Sequence, residues 1–100
     1  MQMCILKLIF NDDLYDEITD SLLAFPQREL EFMGFSVQAH TQSLEDIREQ
    51  VSGFKQKMVI EINTDKNEAA KIYHYLKETL SEASFEGQLF PLLNLDTQSY

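Results

Sequence analysis

The sequence predicts an α+β fold in which a four-stranded antiparallel sheet carries two helices on one face. Three observations predict it. Apolar residues alternate, or run nearly unbroken, over four short stretches, and they recur at helical spacing over two longer ones. The six stretches follow one another as strand, helix, strand, strand, helix, strand. The chain has 100 residues, a length that suits one domain covering residues 1–100.

The first strand is expected over Met3 to Phe10, apolar apart from Lys7. It runs into Asn11, Asp12 and Asp13 without a basic leader or a small-residue cleavage site, so it reads as a strand and not as a signal peptide. A helix follows from Asp12 to Phe25, with Asn11 as its cap, Pro26 as its stop, and Leu14, Ile18, Leu22 and Phe25 as its apolar stripe. The second strand spans Leu30 to His40, with Phe35, Val37 and Ala39 on one face, and Gly34 marks a bulge or a close backbone approach. The third spans Phe54 to Asn63. Its alternation of Met58, Ile60 and Ile62 with Lys57, Val59, Glu61 and Asn63 predicts that it buries mainly one face. A second helix covers Asp65 to Ala83, with Asp65 and Glu68 as a capping box and Ala69, Ile72, Tyr73, Leu76 and Leu80 buried. The last strand, Phe85 to Leu95, is apolar on both faces.

This order is the split βαβ arrangement of ferredoxin-like folds, in which the first and third strands are central. Helices cover one face only, so apolar residues on the other need a partner. Met3, Ile5 and Ile9 lie opposite Cys4, Leu6, Leu8 and Phe10, and Phe90 and Leu92 lie opposite Leu89 and Leu93. Met3, Ile5, Ile9, Phe90 and Leu92 are therefore the expected oligomer interface.

The longest connection is the fourteen residues from His40 to Gly53, set between two strands that read as one hairpin. Hairpin loops usually need about two to five residues, and a linker longer than about 12 is commonly functional. Leu44, Ile47 and Val51 recur at helical spacing, Ser43 can cap, Asp46 sits where a capping acid would, and Gly53 can end the turn. His40, Leu44, Ile47, Glu49, Gln50, Val51, Gly53 and Lys55 are the expected ligand or partner residues.

Eight Lys and Arg against seventeen Asp and Glu give a net charge of −9, which repels phosphate backbones and anionic lipid; no nucleic-acid partner is expected. Nothing approaches the ~20 apolar residues of a membrane span, so no membrane insertion and a cytoplasmic location are expected. The one cysteine, Cys4, sits in an apolar strand and reads as a small hydrophobe. Asp12, Asp16 and Asp20 share a helix face near its N-terminus and read as a solvated surface; His74 reads as a surface residue. No nucleophile elbow, phosphate loop or zinc-protease helix occurs, so an enzyme is not expected.

Gly34-Phe35, His40, the run Glu49-Gln50-Val51-Ser52-Gly53, and the pair Lys55 and Lys57 carry a resemblance. The chain resembles the PII signalling proteins and the CutA-type divalent-cation tolerance proteins, and more specifically an uncharacterised PII-like family of proteobacteria. Ala39 and the two lysines stand where many members have glycine and arginines, so no role needing a left-handed glycine or an arginine fork is expected there. The resemblance implies a trimer whose sheets face inward and whose clefts bind small effectors. It also implies a link to heavy-metal efflux systems and a partner such as an efflux component. PII proteins hold ATP with a glycine-rich turn and a lysine before the last strand; the matching Phe85-Glu86-Gly87-Gln88-Leu89 puts an acid and a glutamine there, so PII-type ATP binding is not expected. The modifiable tyrosine of some PII loops is missing between His40 and Gly53.

A divalent metal fits the efflux link, with His40 as the best ligand and Glu45 and Glu49 as oxygen donors, the site being completed between subunits. Two other classes stay open. One is an interaction module docking through Leu44, Ile47 and Val51 with no small ligand. The other is a small hydrolase or isomerase on the same scaffold, for which the residues offer little.

Overall fold

The computed structural model describes residues 2–40, 55–93 and 95. Its strands are β1 (Met3–Asn11), β2 (Phe32–Ala39), β3 (Lys55–Asp65) and β4 (Phe85–Pro91), and its helices are α1 (Tyr15–Leu23) and α2 (Lys66–Thr79). The sheet is antiparallel in the order β2-β3-β1-β4, so β1 and β3 are central, as the split βαβ order predicts.

Register divides the residues between two faces. Leu6 stands opposite Ile62 and Leu89, Leu8 opposite Ile60 and Gly87, and Phe10 opposite Met58 and Phe85. This face meets Ile18 and Leu22 of α1 and Ala69, Ile72 and Leu76 of α2 in one core. Two aromatic edge contacts close its ends, Phe25 on Tyr75 with centroids 5.3 Å apart and Tyr73 on Phe85 at 5.8 Å. Tyr75 also donates its hydroxyl to the Ser21 carbonyl at 2.7 Å, tying α2 to α1.

Several boundaries differ from the expected ones, each for a local reason. Asn11 makes no side-chain cap; it ends β1 opposite Lys57, and Asp12–Leu14 form a 3₁₀ turn before α1 begins. Leu30 is buried ahead of β2 rather than within it. Gly34 sits in unbroken register with Ile60, so there is no bulge: its missing Cβ leaves room for the Tyr15 ring, which would lie 3.1 Å from it. The helix α2 stops at Thr79, because Leu80 leaves helical geometry at φ −120° and ψ 58°. β4 ends at Pro91, which has no N–H to donate. β3 buries mainly one face as expected, with Val59 as the exception: only 3 % exposed, it lies on the face away from the helices, between Phe35 of β2 and Ile9 of β1.

Asp65 caps α2 as expected, accepting from the Glu68 N–H at 2.9 Å. The other half of the expected capping box is rebuilt. Glu68 directs its carboxylate to the Arg28 guanidinium, at 2.5 and 2.6 Å, and accepts from the buried Thr64 hydroxyl at 2.6 Å. The Arg28 hydrogen bond, reinforced by the Thr64 bond, holds the Glu68 carboxyl below its ordinary pKa and raises that of Arg28. The segment after α1 is thereby fastened to the start of α2.

Candidate functional site

Three features converge at one end of the sheet. There β1 ends at Asn11, β3 begins at Lys55, and β4 begins at Phe85. Ala39 and Lys55 form the last pair of β2 and β3, so the 40–54 connection leaves from this end. His40 is exposed just beyond that pair. Leu44, Glu45, Ile47, Glu49, Gln50, Val51 and Gly53 fall outside the described residues, as do the expected Ser43 cap and Asp46. Of the expected metal set His40, Glu45 and Glu49, only His40 is therefore placed. Among the described residues no group of three or more His, Cys, Asp or Glu is arranged to hold a metal ion.

A cleft of about 530 Å³ opens at this end between the sheet and the turn into β4. Asn11, Lys57, Ser84 and Glu86 give it polar walls, and Tyr73 and Phe85 give it rings. Register explains the grouping: Asn11 faces Lys57 across the β1–β3 ladder, and Glu86 faces Ile9 across β1–β4, all on the open side of the sheet. The stretch that resembles the PII nucleotide turn forms one wall. Gln88 donates to Glu86 at 2.6 Å, so the acid and the glutamine satisfy each other. Lys77 is engaged elsewhere, 4.1 Å above the Phe85 ring and donating to the Phe85 carbonyl at 3.3 Å. The cation that lines the cleft is Lys57, from β3. Sequence reading marked Lys57 as one of a basic pair but did not bring it into one cleft with Glu86. The available signal was strand parity, which puts Lys57, Val59 and Glu61 on the face opposite Ile60 and Ile62.

The open face holds the expected interface residues. Ile5 faces Phe90, Ile9 faces Val59 and Glu86, and Leu92 follows β4, donating its N–H to the Met3 carbonyl at 2.9 Å. Phe90 is 44 % exposed and lies beneath Lys7, whose Nζ is 5.8 Å from the ring centroid. A central row crosses all four strands as Met33, Glu61, Lys7 and Gln88. The open face thus sets the opposite charges of Glu61 and Lys7 between apolar residues of the central strands, Ile5 on one side and Ile9 with Val59 on the other.

A family model described as a protein of unknown function, DUF3240, matches residues 1–95. The chain belongs to the DUF3240 family. The crystal structure of a DUF3240 family protein from Shewanella baltica OS155 is similar to this DUF3240 chain with a TM-score of 0.72 at 18% identity, covering 99% of each chain. Arabidopsis thaliana PII bound to citrate matches with a TM-score of 0.65 at 13% identity, over 96% of this chain and 85% of that one. CPII from Thiomonas intermedia K12, a nitrogen regulatory PII-like protein bound to ADP, AMP and bicarbonate, matches with a TM-score of 0.57 at 11% identity, over 92% and 91%. A search of curated proteins finds no match. The fold is PII-like and the family is an uncharacterised PII-like one, as the sequence resemblance implies. No helix among the described residues is long and apolar enough to cross a membrane.

Proposed function

We propose that this DUF3240 protein is a cytoplasmic PII-like regulator and not an enzyme. It binds a small effector in the cleft beside Lys57 and reports occupancy to a protein partner through the 40–53 segment. The observation that carries this reading is the position of the cleft, at the sheet end from which the 40–54 connection leaves, on a PII-like fold. Anionic ligands named for the similar structures, citrate, ADP, AMP and bicarbonate, suit the charge of Lys57. Glu86 in the same lining works against a triphosphate and favours a smaller or less charged anion.

Subunits join through the open sheet face at Met3, Ile5, Ile9, Phe90 and Leu92, in a trimer that completes the cleft. His40, with Glu45 and Glu49 as oxygen donors, is the set proposed for a divalent metal, consistent with a partner in metal efflux. Calorimetric titrations with zinc, citrate and ADP test the reading on wild type, Lys57→Gln and His40→Ala. Saturable binding of citrate or ADP lost in Lys57→Gln, or of zinc lost in His40→Ala, supports it. No heat above dilution with any of the three refutes it and leaves the interaction module.

A further inference from the structure

A second surface lies on the other side of the sheet edge, where α2 runs beside β4. A groove of about 380 Å³ there has Leu6, Ala69 and Leu89 as its floor and Tyr73 at one end, and its rim carries Lys66 and His74. Its lining contains no acid. In a chain of net charge −9, each of three other clefts among the described residues holds a glutamate, namely Glu17 with Glu82, Glu86, or Glu78.

Beside this groove β4 is an edge strand. Leu92 donates to the Met3 carbonyl, and in antiparallel alternation the bonded positions along β4 are then Phe90, Gln88 and Glu86. Phe85, Gly87, Leu89 and Pro91 therefore turn their main-chain groups outward. The two ends of that row are blunted. Lys77 caps the Phe85 carbonyl at 3.3 Å, and Pro91 has no N–H. Between them, Gly87 and Leu89 leave a short window of donors and acceptors facing solvent, directly along the groove.

We infer that β4 and the α2 groove form a docking site for an extended acidic peptide segment of a partner protein, added as a strand on Gly87 and Leu89. Main-chain bonds to those two residues set its register, an apolar side chain enters over Leu6 and Leu89, and a carboxylate meets Lys66 or His74 on the rim. The charge of the groove selects the acidic sequence, since a basic segment meets like charge here. The groove and the polar cleft lie on either side of Tyr73 and Gly87, which line both, but the inference does not depend on the effector reading.

A random peptide library displayed on phage, selected on the full-length protein, tests it, with amide hydrogen exchange of the complex as the structural readout. Enriched peptides are expected to alternate apolar and acidic residues, to slow exchange at the Gly87 and Leu89 amides, and to bind about tenfold or more weakly to Ala70→Glu and Lys66→Glu. Both positions are exposed on α2, so these variants keep the core intact. Enriched peptides without acidic character, or protection elsewhere than Gly87 and Leu89, overturn the inference. So does protection of these amides in the peptide-free protein that rises with concentration, which makes a second copy the occupant.

Discussion

At Gly87 the side chain that is missing matters more than those present. A Cβ built there would lie 2.6 Å from the Tyr73 ring, and the same ring packs edge-on against Phe85 and beneath Lys77. Gly87→Ala is expected to cost about 1–3 kcal/mol by overpacking, measured by urea unfolding, with most of the loss recovered in a Tyr73→Leu background. Gly34→Ala, whose Cβ would be 3.1 Å from Tyr15, costs less. Glu68 carries the pH dependence. Its carboxyl is lowered in the folded protein by Arg28 first, so the stability it contributes is full above the unfolded glutamate pKa of about 4.3 and is lost as pH falls through the lower folded value. Glu68→Gln should therefore flatten the stability profile on the acid side while leaving its shape near neutrality unchanged, as followed by thermal unfolding against pH.

The elements show what the sequence discloses and what it hides. Alternating or nearly unbroken apolar runs and helical apolar spacing located all four strands and both helices, because every element packs a side against a shared core. Leu8→Ala, at the centre of β1 and fully buried, should accordingly cost about 2–5 kcal/mol by denaturant unfolding. Boundaries were less legible. Asn11 has the chemistry of a cap but is spent in the β1 ladder, and Glu68 has the spacing of a capping-box acid but is claimed by Arg28, forty residues away. Those outcomes depend on tertiary neighbours that local spacing does not contain. The candidate site was legible in part for the same reason: the importance of the stretch around Gly87 came from resemblance, whereas the meeting of Lys57 and Glu86 in one cleft required strand order and register.

For the whole molecule, one layer of helices on a sheet leaves an open face whose charges alternate in sign although the chain is strongly acidic. In the proposed oligomer that face is buried between copies, which would match Lys7 and Glu61 while covering Ile5 and Phe90, with net repulsion elsewhere limiting association to it. Phe90→Glu is expected to give a monomer by light scattering at micromolar concentration, with its far-ultraviolet circular dichroism unchanged. The central claim is that an effector is bound in a cleft completed by neighbouring subunits. A thermal-shift panel of divalent metals, adenine nucleotides and citrate, run on wild type beside His40→Ala and Phe90→Glu, tests it most directly. A ligand at 100 times its Kd adds about 2.7 kcal/mol, several degrees for a domain of this size. The account predicts such a shift in the wild type and its loss in the Phe90→Glu monomer; an equal shift in both, or none in the wild type, contradicts it.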